Sequence, residues 1–205
     1  MEISFLFIIV ILIMSVVIHE VSHGYAAYLM GDPTAKNAGR LTLNPLAHLD
    51  FMGSLIVPLL AYFSSGFMFG WAKPVPYNPY NLKNQKYGDA IVAVAGPVSN
   101  LLIAFIFGLL LRFGILYFGL VSLDFILIVK WIVQINLILA IFNLIPIPPL
   151  DGSKILFTFL PYRFIEIKQN LEKYSLFLLM FFILFLWEFL FPLITFLFSV
   201  ITGIN

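Results

Sequence analysis

The sequence predicts an all-α polytopic membrane protein: a core of three transmembrane helices, a re-entrant segment with a short β-hairpin, and one or two C-terminal helices. Three observations carry this prediction. Of 205 residues, 62% are hydrophobic and only 10% are charged, against ~25% charged in soluble domains. The apolar residues fall in runs long enough to cross a bilayer. The basic residues gather in two of the stretches between those runs. With 11 Lys+Arg against 10 Asp+Glu, the net charge of +1 offers no basic face for nucleic acid. The chain has no cysteine, which excludes disulfide scaffolds, thiol nucleophiles and cysteine zinc sites. A single domain is expected over 1–205, with its core at about 3–155 and C-terminal membrane helices at about 174–204.

The first apolar run, Ile3 to Ile18, is uncharged and continues through His19–His23 to about Met30, where Gly31, Asp32 and Pro33 are stop signals. That is roughly 28 residues, or ~42 Å of helix, ample for a ~30 Å hydrocarbon layer. No basic n-region precedes it and no small-residue cleavage site ends it, so a retained span is expected. Leu43 to Trp71 differs. Its apolar centre, Leu55–Phe63, is short, and Pro45, Pro58, Ser64, Ser65, Gly66 and Gly70 break the stretch. Gly39–Leu43 and Gly70–Tyr77 read as extended, with alternation around Trp71, Val75 and Tyr77. Two clear spans follow, Ala90 to about Phe118 and about Phe125 to Ile145. The tail from Tyr174 to Ile204 is apolar but interrupted by Glu188 and Pro192. It is either one kinked span or a hairpin of two short ones.

Loop charge sets the orientation. Lys36, Arg40, Lys73, Lys83 and Lys86 precede the span at Ala90, and Lys154, Arg163, Lys168 and Lys173 precede the tail. Both stretches satisfy the positive-inside rule if they face the cytoplasm. Leu43–Trp71 must then dip into the membrane and return, which non-helical backbone can do only inside protein or a wet cavity.

His19-Glu20-Val21-Ser22-His23 is an HExxH motif on the first span. The i, i+4 spacing puts both imidazoles on one helix face, as two ligands of one tetrahedral zinc require, with Glu20 beside them as general base. Polar groups inside an apolar span are costly without a task. The candidate third ligand is Asp151, in Asn143-Leu144-Ile145-Pro146-Ile147-Pro148-Pro149-Leu150-Asp151-Gly152, where a helix breaks at prolines and delivers a carboxylate at the membrane border. Asp151 could equally be a helix N-cap, worth ~1 kcal/mol. Topology favours the ligand role: two crossings between His23 and Asp151 bring both to the same side if Leu43–Trp71 re-enters.

These motifs resemble the site-2 protease family of intramembrane zinc metalloproteases. HEVSH matches the family's first motif, Asn143–Gly152 its Asn-x-x-Pro…Leu-Asp-Gly element, and Gly96-Pro97-Val98-Ser99-Asn100 its Gly-Pro-x-x-Asn segment. Arg40–Asp50 and Gly70–Pro79 look like the compact subgroup without PDZ or CBS domains. The resemblance implies one zinc per chain on His19, His23 and Asp151, with Glu20 as catalytic base. It implies peptide-bond hydrolysis within or near transmembrane segments of membrane-protein substrates, and a multi-pass protein of a prokaryotic cell membrane with its active site toward the cytoplasm. Asn143 and Asn100 are the candidates for contacting substrate or the oxyanion. His48 could approach the metal, assist the oxyanion or pair with Asp50, the pair being the simplest reading. Gly70–Tyr77 is the candidate edge for holding an unwound substrate. The partners expected are lipid and transmembrane substrates, with the oligomeric state open. The competing function is an intramembrane metal-ion transporter or channel, since intramembrane His and Asp also mark ion pathways. A transport site has no need for the glutamate of HExxH.

Overall fold

The computed structural model describes residues 2–56, 72–114 and 122–204. Helix α1 (Glu2–Leu29) is 28 residues long and carries HEVSH near its C-terminal end. It stops where Gly31, at φ +103, turns the chain so that the Asp32 N–H donates to the Ala27 carbonyl at 2.9 Å. A short α2 (Thr34–Asn37) and a 3₁₀ turn (Pro45–His48), capped by the Asn44 side chain, lead into a π turn at Phe51–Ile56. Beyond residues 72–78 and a 3₁₀ turn at Pro79–Asn81 come α3 (Gly88–Phe113) and α4 (Leu123–Asn143). The proline segment then hands over to α5 (Asp151–Phe159), α6 (Ile165–Lys173), α7 (Ser175–Phe181) and α8 (Phe191–Thr202).

Among the described residues, four helical runs are long and apolar enough to cross a membrane: Leu6–Leu29, Gly88–Phe113, Leu123–Asn143 and Ser175–Thr202. The chain is an integral membrane protein. The tail is therefore one run, in which a π turn (Phe182–Leu186) and a 3₁₀ turn (Trp187–Leu190) join α7 to α8. The irregular turns fall where Glu188 and Pro192 interrupt the apolar pattern, since proline has no N–H for the helical ladder.

Lipid supplies no hydrophobic drive between helices, so close packing of small residues has to hold them. Ala93, Ala104 and Ala140 are fully buried on α3 and α4, and Ala104, Leu111, Val129, Val133, Leu137 and Ile194 form the main apolar cluster. Phe105, Leu127, Phe185 and Phe196 point outward and are exposed, the surface that acyl chains would cover. Phe181 and Phe189 are exposed too, while Phe182 is buried beside Ile145 and Leu179.

The ends of α1 and α3 meet. Lys83 N–H donates to the Met30 carbonyl at 2.8 Å, and buried Asp32 accepts from Asn78 N–H at 2.6 Å and from Asn81 Nδ2 at 2.8 Å. The chain thus comes back to the end of the bundle from which it left α1. The expected dip of Leu43–Trp71 lies, over residues 57–71, outside the described residues. The expected hairpin needs correction: no strand occurs among the described residues, and residues 72–78 are extended without a ladder. The reason is that their backbone groups bond elsewhere. Lys73 N–H donates to the His48 carbonyl at 2.9 Å, Val75 N–H to Glu20, and Asn78 N–H to Asp32, while Pro74 and Pro76 have no N–H to give.

Candidate metal centre

One turn of α1 places His19 and His23 on the face turned toward α3, with ring centroids 4.7 Å apart. The break after α4 places Asp151 at the first position of α5, where its carboxylate meets both rings. Gly152 permits this, because a Cβ there would collide with the Leu144 and Ile145 carbonyls. The three donor atoms form a nearly equilateral triangle: His19 Nε2 to His23 Nε2 is 3.0 Å, and each lies 3.1 Å from Asp151 Oδ2. All three residues are buried. Donors on a tetrahedral zinc with bonds of ~2.0–2.1 Å lie ~3.3 Å apart, so the triangle is already close to one face of such a site.

The outer ring nitrogens decide which atoms point inward. His23 Nδ1 lies 2.7 Å from the Val92 carbonyl, which can only accept, so Nδ1 carries the hydrogen and Nε2 keeps its lone pair. His19 Nδ1 lies 2.6 Å from Asn100 Oδ1 and donates to it in the same way. Asn100 is held in turn. Its Nδ2 donates to Asn136 Oδ1 at 2.7 Å, and Asn136 Nδ2 donates to Ser15 Oγ at 2.9 Å and Ile132 O at 2.9 Å. Ser15, Asn100 and Asn136 are buried, so α1, α3 and α4 share one polar network behind the rings. Asn136 and Ser15 were not singled out by sequence, although each is a polar residue inside an apolar span, the cost that also marks His19.

Gly96 explains the first residue of Gly-Pro-x-x-Asn. A Cβ there would stand 2.5 Å from His23 Nε2 and 2.6 Å from His19 Nε2. The backbone of α3 therefore closes one side of the triangle, and any side chain would fill it. The donor set and this cradle fit a metal ion.

Glu20 is half-buried, and its Oε2 accepts from Val75 N–H at 2.9 Å. On Asp151, the second oxygen lies 3.8 Å from Lys154 Nζ. A cavity of about 640 Å³ opens beyond it, with Tyr77, Asp89, Pro149, Ser153 and Lys168 in its wall. Burial pushes the Tyr77 phenol up, and the Asp89 carboxylate adds to the effect.

The remaining sequence candidates contribute no donor atom to the triangle. Asn143 donates its Nδ2 to the Leu139 carbonyl of its own helix at 2.9 Å. Asn100 reaches the site through His19 rather than through an open face. His48, buried, lies 2.8 Å through Nε2 from the Thr42 carbonyl and is outside the donor cluster.

Residues 113–186 match the model of peptidase family M50. YwhC of Bacillus subtilis (strain 168), provisionally named a zinc metalloprotease, is 40% identical over 159 residues, covering 76% of this chain and 69% of YwhC. Rip2 of Mycolicibacterium smegmatis, named in the same way, is 32% identical over 146 residues, covering 68% of this chain and 52% of Rip2. No solved structure matches the chain.

Proposed function

The chain belongs to peptidase family M50, the site-2 protease family of zinc metalloproteases, and we propose that it hydrolyses peptide bonds within or near the transmembrane segments of membrane-protein substrates. The observation that carries this is the buried donor triangle with a carboxylate beside it, set inside an apolar bundle. His19, His23 and Asp151 would hold the zinc. When bound, zinc acts as a Lewis acid on the scissile carbonyl and lowers the pKa of a water toward ~7.

The chain's own groups do the rest. Glu20 takes the proton from the attacking water and passes it to the leaving amine. The Nδ1 bonds to Asn100 and Val92 hold each imidazole in the tautomer that offers Nε2. The wall of α3 at Gly96 keeps bulk away from the rings. Asn143 would contact substrate by exchanging its Leu139 bond for a substrate carbonyl. We place the enzyme in the cell membrane with this end toward the cytoplasm, because Lys36 and Lys83 are bonded to Tyr28 and Met30 at the end of α1, and Lys86 and Lys154 line the cavity beside Tyr77.

The test is zinc-dependent cleavage of a panel of single-span proteins in liposomes, with Glu20→Gln as control. Loss of cleavage with zinc retained is the expected result. Metal flux that survives Glu20→Gln, with no cleavage of any substrate, would establish a transporter instead.

A further inference from the structure

The extended segment at residues 72–78 is built into the site rather than passing over it. Val75 is buried and packs directly on α1 one residue beyond the motif, where a Cβ on Gly24 would stand 2.8 Å from Val75 Cγ1. Its N–H reaches Glu20 Oε2 at 2.9 Å. On the other side, Arg40, only 8% exposed, donates Nη2 to the Lys73 carbonyl at 2.8 Å and, more weakly, to the Pro74 carbonyl at 3.4 Å. The Pro74 carbonyl and the Val75 N–H belong to one peptide unit, which is planar, with the two groups pointing in opposite directions. Whatever fixes that carbonyl therefore aims the N–H.

The flanking residues remove the remaining freedom. Pro74 and Pro76 lock their own φ and restrict Lys73 and Val75 to extended conformations. The segment is tethered at both ends, by Lys73 on His48 and by Asn78 on Asp32. A carboxylate on a helix surface ordinarily samples several rotamers. Here one oxygen of Glu20 is held by a fixed donor, which leaves the other free to meet the attacking water.

We propose that the Pro74–Val75 peptide is the orienting element of the catalytic base, and that Arg40 is a positioning residue acting through it on Glu20. This rests on the reading of Glu20 as the base. Arg40 touches neither the donor triangle nor the reacting atoms. Its loss should slow the chemical step while leaving substrate binding and zinc affinity alone.

Hydrogen exchange reads the contact directly in the zinc-loaded full chain in detergent. Exchange is read at the Val75 amide itself, by NMR or by fragmenting the peptic peptide in the mass spectrometer, because Lys73, Tyr77 and Asn78 beside it also carry exchangeable amides. The Val75 amide should be protected in the unaltered protein and in Glu20→Gln, whose carbonyl still accepts. It should exchange about tenfold faster or more in Glu20→Ala and Arg40→Met. In turnover of a soluble, extended peptide, Arg40→Met should lower kcat about tenfold or more, within the range a general base contributes. KM and the zinc Kd should stay unchanged, and Arg40→Lys, which keeps a cationic donor, should recover part of the loss. Unchanged Val75 exchange in both Glu20→Ala and Arg40→Met would overturn the proposal, and the Glu20→Ala measurement stands even if Arg40→Met misfolds. Normal kcat in Arg40→Met, alongside an inactive Glu20→Gln, would overturn the role of Arg40 alone. An active Glu20→Gln would overturn the base assignment itself.

Discussion

Replacing Gly96 with alanine sets two effects of one methyl group against each other. Within a helix, Gly→Ala ordinarily stabilises by roughly 1 kcal/mol through backbone propensity. At this position the new Cβ would stand 2.5 Å from His23 Nε2, whereas ordinary contact begins at 3.4 Å. The difference, 3.4 − 2.5 = 0.9 Å, is the least that α3 or the imidazole must move. Overpacking on this scale costs about 1–3 kcal/mol, so the folded protein should survive with little net change in stability. The metal site should not, because ligand distances tolerate only about 0.2 Å. Both rings are pinned at Nδ1 and cannot retreat without breaking the bonds to Val92 and Asn100. A loss of zinc affinity of about 100-fold or more is expected, beyond what loss of an outer hydrogen-bond partner brings. Chelator competition on purified protein measures this, with thermal unfolding as the folding control. Wild-type zinc affinity in Gly96→Ala would show that α3 does not wall the site as described.

Asn100→Leu removes the acceptor from His19 Nδ1 and should weaken zinc binding about 10–100-fold, while Asn100→Asp, which keeps an acceptor, should stay closer to wild type; both are read by the same chelator competition. At Asp32, burial pushes the carboxyl up, but bonds from Thr34, Asn81 and Asn78 outweigh it and hold the folded-state pKa below 3.8. Its contribution to stability is therefore present in full above pH ~4 and lost as pH falls through the lower folded value. Protection of the Asn78 amide, taken against its intrinsic exchange at the same pH, should fall over that acid window, and Asp32→Asn should flatten the response. Lys36→Cys and Lys83→Cys, in a chain with no cysteine of its own, should label from the same side of the membrane, because Lys83 is bonded to Met30 at the end of α1. Labelling from opposite sides would refute the return of the chain.

What the sequence made legible was governed by local rules. Ile3 to Met30 is one apolar run with an i, i+4 histidine pair, and both helix and pair follow from spacing alone. Asp151 was reachable by counting crossings, and it lies 3.1 Å from both imidazoles. The single tail helix was not legible, because the Glu188 and Pro192 interruptions suit a hairpin as well as a run with irregular turns. Gly70–Tyr77 alternates like a strand, yet residues 72–78 form none. Alternation gives the faces of an extended chain, not the partner of each N–H, and here Glu20, His48 and Asp32 outcompete a neighbouring strand. Asn100 was a candidate for contacting substrate or the oxyanion, because polarity inside a span signals function without saying which group it serves. Its partners Ser15 and Asn136 come from two other helices, and only their tertiary arrangement reveals the link.

The wide separation of the donors along the chain has a consequence for biosynthesis. His19 and Asp151 are 132 positions apart, and at ~5–20 residues per second a ribosome takes on the order of ten seconds to make the intervening chain. During that interval α1 stands in the membrane with two imidazoles and a serine whose partners on α3, α4 and α5 do not yet exist, and with a carboxylate that still awaits Val75. A nascent chain then holds Glu20 without the full donor set. The hydrolysis proposed above therefore has to wait until Asp151 has been added to the chain and has reached the two imidazoles.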